Sequence, residues 1–411
     1  MRRRLGENSR AVHLPPAPVS RQLPVGLPVW RSSAWSFDSS AEYDDVLGDR
    51  APGFAYSRID NPTVAAFASG IAALEGAAAP EDVAGQAFAS GMAAVTAVFL
   101  TFLRAGSHVV APAPVYGGTY SLLANVLGRF GVSADFVDYS DLRRVHAAVR
   151  SSTKIVYAET LGNPTMAVAD IRGLYRIARD AGALLVVDST FATPVVCRPL
   201  EHGADLVVHS ATKYIGGHDD STGGAVVGRP DLIAKIREVR IDTGATLAPD
   251  EAFLLRRGLA TLPLRVRRMC ATAMVFAAAV AKHPAVRRVD YPGLPGHPGH
   301  QLARQLFDNG PEGTRYGACV TVTPHGGYEA GVMLADSVRL ARIATSIGGT
   351  HTKVSHVAST THRQLDEALL TASGVDAGAV RFSIGLEDAE DLIADVTDAL
   401  DALRSNTATR P

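Results

Sequence analysis

The sequence predicts an α/β protein built on a parallel or mixed sheet covered by helices. Two observations predict it. Short, nearly continuous apolar runs rich in β-branched residues recur at 109–111, 155–158, 184–187, 206–208 and 225–227, as strands buried on both faces read. Helical periodicity fills the intervals, as over 171–181, where Asp170 precedes the first turn as a cap. Such alternation packs helices onto a sheet. The 411 residues are roughly three times a usual domain of about 100–150 residues, so two or three domains are expected.

Composition narrows the function classes. The chain is 47% apolar and 20% charged, which excludes a largely disordered protein. Lys plus Arg is 40 and Asp plus Glu is 41. That balance argues against nucleic acid or an anionic membrane as the main partner, since either needs a basic excess. Cys197, Cys270 and Cys319 are too scattered for a disulfide framework and lack CxxC spacing, so no metal site is expected and a reducing, cytoplasmic compartment fits. The apolar stretches 97–103 and 274–281 end at Arg104 and Lys282, short of the ~18–20 residues of a membrane helix. The start, Met1-Arg2-Arg3-Arg4, runs into Gly6-Glu7-Asn8 rather than an apolar segment and reads as a mobile arm.

Residues 1 to about 65 are rich in Pro, Ser and Arg without a sustained period. An apolar-basic helix is expected near 262–282. It leads to Tyr291-Pro-Gly-Leu-Pro-Gly-His-Pro-Gly-His300, which reads as an ordered turn near a domain junction. A closing helix over 389–403 places Leu392, Ile393, Val396, Leu400 and Leu403 on one face, with Asp388 as its cap.

The chemistry concentrates at strand ends. Val207-Val-His-Ser-Ala-Thr-Lys-Tyr214 places Lys213 just after a buried strand, beside the hydroxyls of Ser210 and Thr212. Burial disfavours an ammonium, and a neutral amine can form a Schiff base with an aldehyde. The bland alternative is a polar turn with Lys213 snorkelling outward. Leu184-Leu-Val-Val-Asp188 sets a carboxylate at another strand end. Alone, Asp188 is equally a helix cap or a metal ligand; beside a strand-end lysine it suits a protonated pyridine nitrogen. Ser90-Gly-Met-Ala-Ala94 opens a helix to Leu103, where the amides of Gly91 and Met92 suit a phosphate. Tyr116 follows the 109–111 strand and suits stacking on an aromatic cofactor, although most tyrosines in such turns simply pack.

Together these segments carry a resemblance. Tyr56-Ser-Arg58, Asn61-Pro-Thr63, Ser90-Gly-Met92, Tyr116-Gly-Gly118, Glu159, Asn163-Pro164, Asp188-Ser-Thr-Phe-Ala-Thr-Pro194 and Ser210-Ala-Thr-Lys-Tyr214 resemble the pyridoxal-phosphate enzymes of cysteine and methionine metabolism. That family includes cystathionine γ-synthase and γ-lyase, methionine γ-lyase and the O-acylhomoserine sulfhydrylases. The resemblance runs from about residue 25 to the end. It implies the aspartate-aminotransferase-like fold (fold type I), with a large, mostly parallel sheet and a smaller C-terminal α/β domain. The implied organisation is an arm over 1–65 contacting a neighbouring subunit, a cofactor domain over 66–264 and a C-terminal domain over 265–411. It further implies pyridoxal 5'-phosphate on Lys213, Asp188 at the ring nitrogen, Tyr116 stacked on the ring, and Gly91, Met92, Ser210 and Thr212 at the phosphate. Asn163 resembles the residue near the 3-hydroxyl and the substrate. Tyr56 and Arg58 would complete the neighbouring subunit's phosphate site within a homotetramer, a dimer of dimers. Val380-Arg-Phe-Ser-Ile-Gly-Leu-Glu387 is similar to the family's strand whose arginine clamps the substrate carboxylate, giving that role to Arg381 with Ser346 beside it.

Three positions depart from the family pattern. Gly118 stands where methionine γ-lyases typically carry cysteine. Val357 replaces a proline ahead of Ala358-Ser-Thr-Thr-His362-Arg-Gln-Leu365. His351 stands where many members have glutamate. Specificity for the γ-substituent is accordingly expected near Gly118 and Val357. The implied function is γ-elimination or γ-replacement on a γ-substituted amino acid of the L-homoserine type (cystathionine, an O-acylhomoserine or a methionine-like substrate), with Lys213 and Tyr116 catalytic. Two other readings stand beside it: a specialised γ-lyase expelling a non-sulfur group such as a halide, and a non-catalytic protein that binds the cofactor.

Overall fold

A computed structural model describes residues 24–79, 81–113, 115–360 and 374–408. His362 and Leu365 of the stretch that follows Val357, and the first residues of the N-terminal arm, lie outside them. Strands β1 (Ala84–Phe88), β2 (His108–Pro112), β3 (Ser133–Val137), β4 (Thr153–Glu159), β5 (Leu184–Asp188), β6 (Leu206–Ser210) and β7 (Gly224–Gly228) form a seven-stranded sheet in the order β1-β7-β6-β5-β4-β2-β3. From β6 through β3 all pairs are parallel, and β7 alone runs against its neighbours.

Both faces of this sheet are covered, which explains the unbroken apolar runs. Val187 and Val207 point into one core and Val186 and Val208 into another. All four are fully buried, and each such side chain stabilises the fold by roughly 1.5–3 kcal/mol. Two strands escape that pattern. β1 has no β-branched residue, and Gly85 lets it pass beneath the Pro62–Glu75 helix, because a Cβ there would meet the Ala68 carbonyl at 2.5 Å. β3 is an edge strand with no fully buried residue.

The helices follow their caps. Asp170 accepts from the Gly173 amide at 2.9 Å and starts the Ile171–Asp180 helix. The helix expected near 262–282 begins earlier, at Pro249, and runs to Val280 with Pro263 inside it. The turn from Tyr291 to Gly299 connects β8 (Val286–Asp290) to the His300–Leu306 helix, as its Pro/Gly content requires. The closing helix, Ala389–Ala408, buries Leu392, Val396, Leu400 and Leu403 on one face. Asp388 precedes it, but its carboxylate accepts from Arg268 at 2.8 Å and its carbonyl from the Leu392 amide.

A second, five-stranded sheet comprises β8, β9 (Cys319–Pro324), β10 (Arg342–Ile343), β11 (Lys353–His356) and β12 (Val380–Ser383), ordered β10-β11-β12-β9-β8. Among the described residues no helix is long and apolar enough to cross a membrane. In the large sheet Phe88, Pro112, Glu159, Asp188 and Ser210 all end strands at one edge. Ligands of open α/β sheets sit outside that edge.

Asp170→Ala should lower stability by about 1 kcal/mol, the usual worth of a side-chain cap, whereas Asp170→Asn should retain most of it. A thermal melt of the two variants checks the assignment.

Candidate active site

The strand ends open into one cavity of about 830 Å³. Gly91, Met92, Tyr116, Asn163, Asp188, Ser210, Thr212, Lys213, Ser346 and Arg381 line it; Tyr56 and Arg58 do not. Lys213 lies in the turn leaving β6, and its Nζ donates to the Ser346 hydroxyl at 2.8 Å. Burial lowers its pKa first, and the Arg381 and Lys353 charges lower it further, against an opposing pull from Asp219. The amine is therefore less basic than an ordinary lysine and does not snorkel out. Ser346 adopts φ +77°, an uncommon conformation for a non-glycine residue. Its carbonyl accepts from Arg381 Nη2 at 3.4 Å while its hydroxyl serves Lys213.

Arg381, on β12, is 5% exposed. Its Nη1 donates to Asn163 Oδ1 at 2.8 Å and its guanidinium lies over the Phe191 ring at 5.9 Å, while its buried Nε has no partner. Among the described residues it makes no ion pair with a carboxylate. An uncompensated buried cation calls for an anion, so this is not a surface salt-bridging arginine.

Asp188 ends β5. Its Oδ1 accepts from the Thr190 amide at 2.9 Å and its Oδ2 from the Tyr157 hydroxyl at 3.3 Å. Across the cavity, the Gly91–Phe102 helix begins after Ser90, whose hydroxyl and carbonyl accept from the Ala93 and Ala94 amides. This leaves the amides of Gly91 and Met92 at the positive helix end. Gly91 is required by close approach: a Cβ there would lie 2.6 Å from Ser210 Cβ. Thr212 is already engaged, its hydroxyl donating to the Gly223 carbonyl and accepting from the Gly223 amide.

The departures fall differently from expectation. Gly118 lines the cavity, and a Cβ there would meet the Tyr116 ring at 2.6 Å and Met92 Sδ at 3.0 Å. Val357 is fully buried in a separate apolar cluster with Ala358, Val375 and Ala379, so the expected specificity role at Val357 has no contact with the cavity to act through. His351 is exposed, pairs with the Thr350 hydroxyl and does not line the cavity. Sequence reasoning gave no role to Glu159, Thr190, Phe191 or Asn125, which also line the cavity.

A family model for the Cys/Met metabolism PLP-dependent enzymes, PLP being pyridoxal phosphate, matches residues 9–401. The chain belongs to that family. Members similar to it include the L-methionine gamma-lyase of Pseudomonas putida, 41% identical over 401 residues covering 97% of this chain and 98% of that one. The O-succinylhomoserine sulfhydrylase of Pseudomonas aeruginosa is 38% identical, covering 92% of this chain and 91% of that one. Among solved structures, cystathionine gamma synthase from Xanthomonas oryzae, in complex with aminoacrylate and cysteine, superposes with a TM-score of 0.85 at 34% identity, covering 93% of this chain and 94% of that one. A Campylobacter jejuni protein assigned as an O-acetylhomoserine (thiol)-lyase, with a pyridoxyl-lysine monophosphate, reaches 0.87 at 30% identity, covering 93% and 97%. The fold is thus that of the fold type I enzymes, and the family's cofactor is pyridoxal phosphate. The residues present fit that cofactor: a buried amine of lowered basicity, a carboxylate at the next strand end, a helix N-terminus and a buried cation without an acid.

Gly118→Cys should push the Tyr116 ring aside and change the ranking among γ-substituted substrates, since its Cβ occupies the ring's present volume. Relative kcat/KM values across a substrate series check this; a uniform slowing would place the γ-end elsewhere.

Proposed function

We propose that the protein catalyses γ-elimination or γ-replacement on γ-substituted amino acids of the L-homoserine type, such as cystathionine, an O-acylhomoserine or methionine. The observation that carries this reading is the Lys213–Ser346–Arg381 chain. It holds an amine of lowered basicity and a buried, acid-free guanidinium on either side of one serine, matching the amino and carboxylate ends of an amino acid. The curated relatives with γ-lyase and sulfhydrylase names support the reaction class.

Lys213 would hold the cofactor through its aldehyde, Asp188 would pair with its ring nitrogen, and Tyr116 would pack against its ring. The Gly91 and Met92 amides and the Ser210 hydroxyl would take the phosphate, with Thr212 offering what its bonds to Gly223 leave free. Bound pyridoxal phosphate supplies an electron sink for the bond broken at Cα. The Lys213 amine would move protons at the substrate's Cα and Cβ, for which its lowered basicity suits it. Arg381, oriented by Asn163, binds the α-carboxylate through a two-pronged guanidinium. Tyr116 assists departure of the γ-group. For the site as a whole, Tyr56 and Arg58 belong to the neighbouring subunit's cavity in a dimer of dimers. They do not line that cavity in their own chain, where Tyr56 is 44% exposed and Arg58 donates to the Ile241 carbonyl. The buried free thiols suit a reducing, cytoplasmic compartment.

Borohydride reduction followed by peptide mapping should place a pyridoxyl group on Lys213, and a γ-substituted amino-acid panel, with and without thiols, should yield 2-oxo acid or a replacement product. An adduct on another lysine, or turnover of none of the panel, overturns the reading. Arg381→Lys should weaken all substrates alike, by about 1.5–3 kcal/mol for a charged hydrogen bond, measured as kcat/KM.

Mixing Arg58→Ala with Lys213→Ala protein under subunit exchange should recover part of the activity that each lacks. Absence of recovery in demonstrated mixed oligomers would show that Arg58 serves its own chain.

A further inference from the structure

Glu159 ends β4 in register with Asp188 at the end of β5, so two carboxyl groups share one wall of the cavity. They have different surroundings. Asp188 has donors on both oxygens. Glu159 Oε1 accepts from the Tyr116 amide at 2.7 Å, across 43 residues of chain, and its Oε2 is buried without a partner. Tyr116 needs such a tie. It is 50% exposed and starts the short Gly117–Ser121 helix with no side-chain cap.

We propose that Glu159 is a positioning residue that, as a neutral carboxylic acid, grips the Tyr116 amide and so sets the ring over the cofactor, leaving the negative charge to Asp188. The inference rests on the pyridoxal-phosphate reading of the site and deepens it. Burial, and then the Asp188 charge, push the Glu159 carboxyl up to about 8, against the pull of the Tyr116 and Asn163 amides. The Tyr157 phenol, also facing the pair, is pushed upward chiefly by burial and then by both carboxylates, and stays neutral. The Lys213 amine and the Arg381 cation lie elsewhere in the same cavity. An orphaned neutral oxygen beside Asp188 is far less unfavourable than an orphaned charge there. The two carboxyls, so differently surrounded, take different roles.

The sign of the pH dependence follows. A folded-state value above the ordinary 4.5 means that this group's contribution to stability is present at low pH and is lost as pH rises through about 8. Glu159→Gln keeps the acceptor and cannot ionise, so its thermal stability should gain on the wild type over that interval.

The experiment compares holoenzymes. At neutral pH the wild-type infrared spectrum should contain a protonated-carboxyl band that Glu159→Gln lacks, while that variant keeps cofactor affinity and absorbance within about twofold, well inside the worth of one hydrogen bond. Glu159→Ala should weaken cofactor affinity on the order of tenfold, as loss of one buried hydrogen bond does, and this loss should vanish in a Tyr116→Ala background. Absence of the infrared band, a Glu159→Gln defect as large as that of Glu159→Ala, or an undiminished Glu159→Ala effect without the Tyr116 ring would each overturn the proposal. The infrared comparison needs only the isosteric variant, so it stands if Glu159→Ala fails to fold. A wild-type protein that takes up no pyridoxal phosphate would overturn the underlying reading instead.

Discussion

The hydrogen bond from Lys213 to Ser346 joins the two halves of the molecule at the point where its chemistry is concentrated. Lys213 follows a strand of the large sheet, and Ser346 belongs to a segment between two strands of the small one. The serine's left-handed backbone turns its hydroxyl to the amine and its carbonyl to Arg381. Nearby, Lys353 and Asp219 form an ion pair between β11 and the loop beyond Lys213, packed against Gly349. Desolvation of the amine requires both halves to be in place. The reactivity of Lys213 is therefore a property of the assembled fold rather than of its local motif.

Close approach is the second constraint, and glycine meets it. Gly91 lies against Ser210, and Gly224 admits the Ser90 carbonyl where a side chain would clash with backbone. Together they bring a helix N-terminus down to the strand ends, where its free amides are useful. Gly118 plays a different part. The absent side chain is replaced by the Tyr116 ring itself, so the volume at position 118 and the placement of the ring are one variable.

What could be read in advance follows the same physics. β2, β4, β5, β6 and β7 were legible because burial on both faces demands continuous apolar sequence. β1 was not, because its packing requirement at Gly85 excludes the β-branched residues that announce a strand. The start of the Pro249–Val280 helix was obscured by Pro263, which ordinarily marks a helix boundary and here sits inside one. At the site, Lys213 and Asp188 could be singled out because each places charge at the end of a buried strand, whereas Arg381 was legible only through the resemblance of its strand to the family's. Glu159 also ends a buried strand, yet its partner Tyr116 lies 43 residues earlier, a separation that no local pattern encodes. Val357 and His351 stood out as departures, but burial in one case and exposure in the other keep them out of the cavity.

The order of the chain gives the Lys213–Ser346 contact a meaning in time. The two residues are 133 positions apart, and Arg381 comes later still, on a strand that inserts between β11 and β9. A polypeptide leaving the ribosome presents Lys213 well before the wall that dries it. Part of what lowers the basicity of the amine, the charges of Arg381 and Lys353, is carried by these later segments. The chemistry of Lys213 is thus completed by residues that follow it in the chain by more than a hundred positions.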